Sequence, residues 1–395
     1  MPLRSPHAAW IAAVAALLLA ACGGGGGAPP AAPAPPPPPA PTPPPAPAPT
    51  PTVTTLRSDL ANPWALARLP DGRWLLTERA GRLWVLSADA RSKTEVTGLP
   101  AVASAGQGGL LDVAVDPDFA QAGGNHIYWS YAEPGSGGNA GTAVARALLS
   151  GNTLGPVQVI FRQSPKVGGS GHFGSRLVFA RDKTLFVTLG ERQLGNPAQD
   201  LQQTLGKVVR LQRDGSLPGD NPRWTLPALP GVWSLGHRNP QGAALHPDTG
   251  ELWVSEHGPQ GGDELNIARA GANFGWPLRS YGCNYGDPVG EACRIGGGVH
   301  APGYVEPLTH WVPTSIAPSN LIFHSGTMFP EWRGQVLMGS LAGSALWRLV
   351  LSGNTVVARE RLLGELGERI RDVDEAPDGA IWLLTDSGKL LRYGR

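Results

Sequence analysis

Residues 69–86 read LPDGRWLLTERAGRLWVL. A Pro-Asp-Gly turn leads into a short apolar strand, a polar turn and a second strand. Such punctuation between aromatic and branched apolar runs marks β-hairpins. The phrase recurs as VDPDFAQAGGNHIYWSYA (115–132), FARDKTLFVTLGE (179–191), LHPDTGELWVSEHG (245–258), MFPEWRGQVLMGSLAGSALWRLVL (328–351) and EAPDGAIWLLTDSGKLLRY (375–393). No segment sustains the 3.6-residue apolar periodicity of an amphipathic helix.

Six irregularly spaced hairpin units predict an all-β fold, a six-bladed β-propeller. A β-sandwich is the competing architecture, but it seldom reaches this length or repeats one phrase so often. Propeller blades wrap a central channel, and their longer loops gather on one face. The spacers around residues 163–176, 191–207, 256–300 and 302–328 are expected to build that face, and function is expected from it.

The propeller accounts for residues 54–395. Ahead of it, residues 1–22 (MPLRSPHAAWIAAVAALLLAAC) combine a basic start at Arg4, an apolar run from Ala8 to Ala21, and Leu19-Ala20-Ala21-Cys22. This reads as a lipoprotein signal peptide whose lipobox cysteine, Cys22, becomes the lipidated first residue. The apolar run is shorter than the roughly 20 residues a transmembrane helix needs. Residues 23–53, glycine and then proline-alanine sequence, bury no apolar surface and are expected to form an extended tether. The expectation is an exported protein, lipid-anchored in the periplasm. Gly23 carries no acidic retention signal, which favours the outer membrane. The anchor is then the sole membrane contact.

Charge is balanced, with 32 Lys and Arg against 31 Asp and Glu, and no basic cluster suggests a nucleic-acid partner. With Cys22 lipidated, Cys283 and Cys293 remain, and in an exported protein they are most simply a disulfide.

Four loop clusters offer chemistry. Gln107 stands between glycines in AGQGGLLDVAVDP (105–117). His172 stands in GGSGHFGSRLVF (168–179), where it suits a general base because imidazole titrates near neutrality. Glycines around it suggest a floor cleared for a flat ligand; a histidine bonded within its own loop is the plainer reading. Arg238 in LGHRNPQGAALHP (235–247), with Arg369 and Arg371 in GERIRDVDEAPDG (367–379), would form a clamp for a planar polyanion if they share one face. Surface solvation or blade-to-blade ion pairing is the ordinary role of such arginines. Asp263 and Glu264 in SEHGPQGGDELN (255–266), beside glycine carbonyls, suit calcium or simple turn formation. Walker loops, nucleophile elbows and dinucleotide fingerprints do not occur in these clusters.

Taken together, GQGGLLDVAVDPDF, GHFGSRLVF, GHRNPQG, SEHGPQGGDELN, NFGWP and RIRDV resemble the soluble PQQ-dependent aldose sugar dehydrogenases of the glucose/sorbosone dehydrogenase family. The resemblance runs from about Leu60 to Tyr393. It implies an oxidoreductase, a quinoprotein with pyrroloquinoline quinone (PQQ) lying across a six-bladed propeller. Such an enzyme oxidises the C1 hydroxyl of aldose sugars to lactones by hydride transfer to the quinone and passes the electrons to a periplasmic acceptor.

By the same resemblance, His172 is the catalytic base, and Gln107 and Asn239 contact the quinone. Arg238 lies at the quinone ring, where it stabilises developing negative charge. Tyr285 lines the cofactor pocket, and Arg369 and Arg371 hold the cofactor carboxylates. The carbonyls of Gly258 and Pro259 ligate a calcium that grips the cofactor. Glu264 and the carbonyl of Phe274, where the family usually has tyrosine, ligate a structural calcium. One departure stands out: the family commonly has a quinone-contacting lysine near Ala342, and alanine supplies no charge. A non-enzymatic binding or scaffold propeller, and a metal-dependent lactonase with acidic ligands spread over the blades, are the competing functions.

Overall fold

The computed structural model describes residues 49–121 and 124–395, so the expected signal peptide and most of the expected tether lie outside the described residues. Twenty-five strands form six antiparallel sheets, and among the described residues there is no α-helix. All six sequence phrases fall on the same place in their sheets, the turn from the first strand to the second. Pro70-Asp71-Gly72, for example, joins Pro63–Arg68 to Trp74–Glu78.

The first strands of the six blades are Pro63–Arg68, Leu110–Val115, Gly174–Phe179, Pro240–Leu245, Pro318–Phe323 and Ile370–Glu375. Each packs against the next, and the last against the first, which closes the ring around a central channel. This is the six-bladed β-propeller that the hairpin count predicts. The sixth blade takes its outermost strand from the start of the described chain, where Thr52–Arg57 pairs with the C-terminal strand Leu390–Gly394. That strand begins two residues before residue 54, where the sequence places the end of the tether.

Apolar cores lie between neighbouring blades. Trp74 of the first blade stacks on Trp382 of the sixth, ring centroids 4.6 Å apart, in a cluster with Leu76 and Leu384. The spacer 302–328 is not one loop, because the strands Thr309–Trp311 and Pro318–Phe323 occupy much of it.

All six inner strands carry a register shift at their N-terminal ends, at Pro63/Ala65, Leu110/Val113, Gly174/Leu177, Pro240/Gly242, Pro318/Leu321 and Ile370/Asp372. Bulges of this kind interrupt the ladder and re-aim side chains. Hydroxyls on the second strands fill several of the gaps. Thr188 Oγ1 accepts from the Arg176 amide (2.9 Å) and donates to the Pro240 carbonyl of the next blade (2.9 Å). Thr77 reaches Leu111, Ser130 reaches Ser175, and Ser255 reaches Ser319 in the same way. One face of the ring is thus built from six irregular strand ends tied to one another.

Candidate active site

Six of the candidate residues sit at or just before these bulged ends. Gln107 precedes the inner strand of the second blade, His172 that of the third and Arg238-Asn239 that of the fourth. Arg369 precedes the sixth, and Arg371 lies within it.

His172 is buried and adopts φ 49°. Its Nδ1 lies 2.9 Å from Glu191 Oε1, while Glu191 Oε2 accepts the Leu194 amide at 2.7 Å. A carboxylate in that place accepts a hydrogen bond from Nδ1–H, leaving the Nε2 lone pair free. Burial pulls the imidazole below its ordinary pKa; Glu191 opposes this and the nearby Arg238 charge adds to it. A neutral ring with a fixed tautomer and an open Nε2 is the form a base requires.

Amides join the other residues to it. Gln107 Oε1 accepts the His172 backbone N–H (2.9 Å) and the Asn239 side-chain amide (3.3 Å). Asn239 Oδ1 accepts the Gly174 amide (3.1 Å). Beside them, Arg238 donates to the His257 carbonyl (3.2 Å), and its guanidinium lies 5.2 Å from the Trp276 ring centroid. Its Nε is buried and has no hydrogen-bond partner among the described residues, so this cation presents an unclaimed donor. Tyr285 is 72% exposed and places its hydroxyl 3.4 Å from Arg238 Nη2. It stands on a loop closed by the Cys283–Cys293 disulfide and pinned to the Gly258–Gly262 turn by paired backbone bonds between Cys283 and Gln260.

The segment bearing Phe274 and Trp276 leaves the fourth blade after Ile267 and runs against the third. The Phe274 amide bonds to the Leu235 carbonyl and that of Trp276 to Gly236. Arg369 and Arg371 are together, but both Nε atoms are spent on Asp386 at 2.9 Å, and Arg371 also donates to Gln241 Oε1 at 2.9 Å. Ala342 is exposed in its turn, where Arg361 donates to the neighbouring Gly343 carbonyl at 3.0 Å.

Around Glu264 the electrostatics ask for a cation. Burial first, and the neighbouring Glu256 second, push its carboxyl well above the usual range. Its oxygens meet Asn266 Nδ2 (3.1 Å) and His300 Nε2 (3.3 Å), while Asn266 Oδ1 and His300 Nδ1 are buried without partners. Gly258, Pro259 and Phe274 are buried, and their carbonyls accept no hydrogen bond among the described residues. No three His, Cys, Asp or Glu side chains converge among the described residues, so a calcium here would lean on carbonyls. Asp263 has the plainer of its two roles. One oxygen takes the Gly258 amide and the other takes Ser315 Oγ and the amides of Ile316 and Ala317, tying two loops together.

Of the glycines around His172, Gly169 has open space beside it, but Gly174 has a different reason from a cleared floor. Gly174 has φ +63° and approaches Gly190, where a Cβ would lie 2.1 Å from the His172 carbonyl oxygen. The space is needed by the backbone itself. Sequence reasoning also missed Glu191, His257, Gln241 and Asp386. Glu191 follows a predicted strand in LFVTLGE, which was the available signal. Burial first and Arg238 second lower His257 to about 3, and its Nε2 donates to the Pro318 carbonyl at 2.9 Å, so it serves as a neutral strut.

Fold and site define a class, the β-propeller enzymes whose functional groups gather at the mouths of the inner strands. More narrowly, residues 60–392 match the model of the Glucose / Sorbosone dehydrogenase family, and the chain belongs to that family. An aldose sugar dehydrogenase of Escherichia coli is 42% identical over 347 residues, covering 86% of this chain and 92% of the relative. The crystal structure of the soluble aldose sugar dehydrogenase of E. coli in the apo-form is 40% identical, with a TM-score of 0.81 over 87% of this chain and 99% of that one. A PQQ-bound aldose sugar dehydrogenase from Streptomyces coelicolor is 32% identical, with a TM-score of 0.70 over 88% and 99% of the two chains.

Proposed function

We propose that this enzyme oxidises the C1 hydroxyl of aldose sugars to lactones with PQQ as cofactor and calcium as its counter-ion. The observation that carries the reading is the His172–Glu191 pair with its open Nε2, set among Gln107, Asn239 and the unclaimed Nε of Arg238. The names of the relatives, one of them bound to PQQ, support the substrate class and the cofactor.

PQQ, when bound, supplies the two-electron acceptor for the hydride leaving C1. In this reading Gln107, Asn239, Tyr285, Arg369 and Arg371 hold it, Arg369 with both Nη groups and Arg371 with the Nη hydrogens that Asp386 and Gln241 leave over. His172 Nε2 takes the proton from the anomeric hydroxyl, and Glu191 stabilises the imidazolium that forms. Arg238 offers a fixed donor to negative charge developing beside it, and such preorganised donors are among the largest contributors to catalysis. The carbonyls of Gly258 and Pro259 would hold the calcium that grips the cofactor. Glu264 and the Phe274 carbonyl would hold a structural calcium.

The proposal extends to place: export, lipid tethering through Cys22 at the outer membrane, and electron delivery to a periplasmic acceptor rest on residues 1–53. Turnover of an aldose deuterated at C1 tests the chemistry. The reading expects a primary isotope effect and lactone as the first product; an unlabelled-like rate with oxidation at another carbon contradicts it.

A further inference from the structure

Arg192, next to Glu191, is among the largest fully buried side chains of the molecule, with 2% of its surface exposed. Among the described residues it has no carboxylate ion pair. Its guanidinium donates to three backbone carbonyls: Nε to Gly171 (2.8 Å), Nη1 to Ala140 (2.7 Å) and Nη2 to Gly169 (2.6 Å). It also lies 3.7 Å from the centroid of the Phe173 ring, and its backbone amide bonds to the His172 carbonyl at 3.2 Å. Burying a cation without a counter-ion is costly, and an apolar side chain would fill the space more cheaply. The carbonyls of Gly169 and Gly171 have no other donor among the described residues. Arg192 itself holds φ 62°, a backbone conformation that disfavours side chains. What the fork gains is a hold on loop carbonyls beside His172 that no other donor among the described residues reaches.

We propose that Arg192 is the positioning residue for His172, its three-pronged fork tying the Gly169–Gly171 backbone just ahead of the imidazole to the Ala140 carbonyl of the second blade. The inference rests on the reading of His172 as the base. Glu191 orients the ring and Arg192 the main chain that carries it, so consecutive residues hold the two halves of one histidine. A second effect follows from charge. The charged and titratable groups facing the imidazole are Glu191, Arg192, Arg238 and His257, and the two arginines both disfavour imidazolium.

The test uses the full chain loaded with PQQ and calcium, with kcat expressed per quinone-loaded site. Arg192→Met is expected to bind the quinone yet lose ~100-fold in kcat, the scale of a small misplacement of a catalytic group. The acid limb of its kcat/KM profile moves to higher pH, because a cation has left the imidazole. Arg192→Lys keeps the charge but not the fork. Its acid limb stays in place, and its kcat lies between those of the wild type and the Met variant. Wild-type kcat per loaded site in either variant overturns the proposal, as does an unmoved acid limb in Arg192→Met. If Arg192→Met does not fold, Arg192→Lys decides alone. Histidine NMR of the apoprotein, with His172 assigned through His172→Gln, separates this inference from the function it rests on. A raised His172 midpoint in Arg192→Met without sugar turnover in the wild type sinks the function and leaves Arg192 in its role; an unmoved midpoint sinks the inference.

Discussion

His172 sits at φ 49° because two other segments hold it there: Gln107 from the second blade, and Glu191 and Arg192, consecutive residues just past the next strand of its own blade. Strain of this kind persists only where the surroundings over-determine it. Removing the imidazole in His172→Ala is expected to cost ~10²–10⁴-fold in kcat, while quinone affinity measured by titration changes little. Glu191→Gln is expected to lose ~10²-fold or more in kcat, as the tautomer and the imidazolium both lose their partner. Its acid limb moves to lower pH, because the Glu191 charge is what raises His172 against burial. His172 was visible in the sequence through its glycines. Glu191 was marked only by its place after a predicted strand, since its contact with His172 spans 19 residues and only a folded hairpin brings the two together.

The blade is the element of this fold, and its local chemistry is what made it legible. Each Pro/Asp/Gly phrase encodes one turn, and six phrases give six sheets. Ring closure is another matter. TVTTLR (52–57) adjoins a proline-rich run, and nothing within it announces that it pairs with a strand more than 330 residues away. Deleting residues 49–57 removes that strand and bares the edge of Leu390–Gly394, an invitation to edge-to-edge association. The melting midpoint measured by calorimetry is expected to fall by ~5 °C or more, with aggregation on heating; an unchanged midpoint would mean that the pairing contributes nothing to closure. The bulges were equally hidden, because a register shift depends on the partner strand.

At the scale of the whole molecule, the channel below the site is crossed by Arg176. It pairs with Asp112 (2.7 Å) and Asp372 (3.4 Å), and the two carboxylates also accept the Leu177 and Leu66 amides. Two buried carboxylates share one guanidinium. Burial raises Asp372 from 3.8 to about 6; Arg176 opposes the shift and Asp112 adds to it. A carboxyl raised on folding contributes stability that is full below its unfolded value and lost as pH rises through the folded one. Between about pH 4 and 6 the propeller is therefore expected to lose on the order of 1–3 kcal/mol from this group. Asp372→Asn keeps an acceptor for Leu66 and removes the titration, so urea unfolding should show a flatter pH profile and greater stability than wild type at pH 8. A wild-type-like slope would clear Asp372 of the effect.

The central claim concerns what the ring of strand ends does once filled, and dye reduction measures it most directly. Purified apoprotein given PQQ, calcium and an aldose is expected to reduce an artificial electron-accepting dye, with a rate that saturates in quinone and in sugar. Folded protein that reduces no dye across a panel of aldoses would contradict the account.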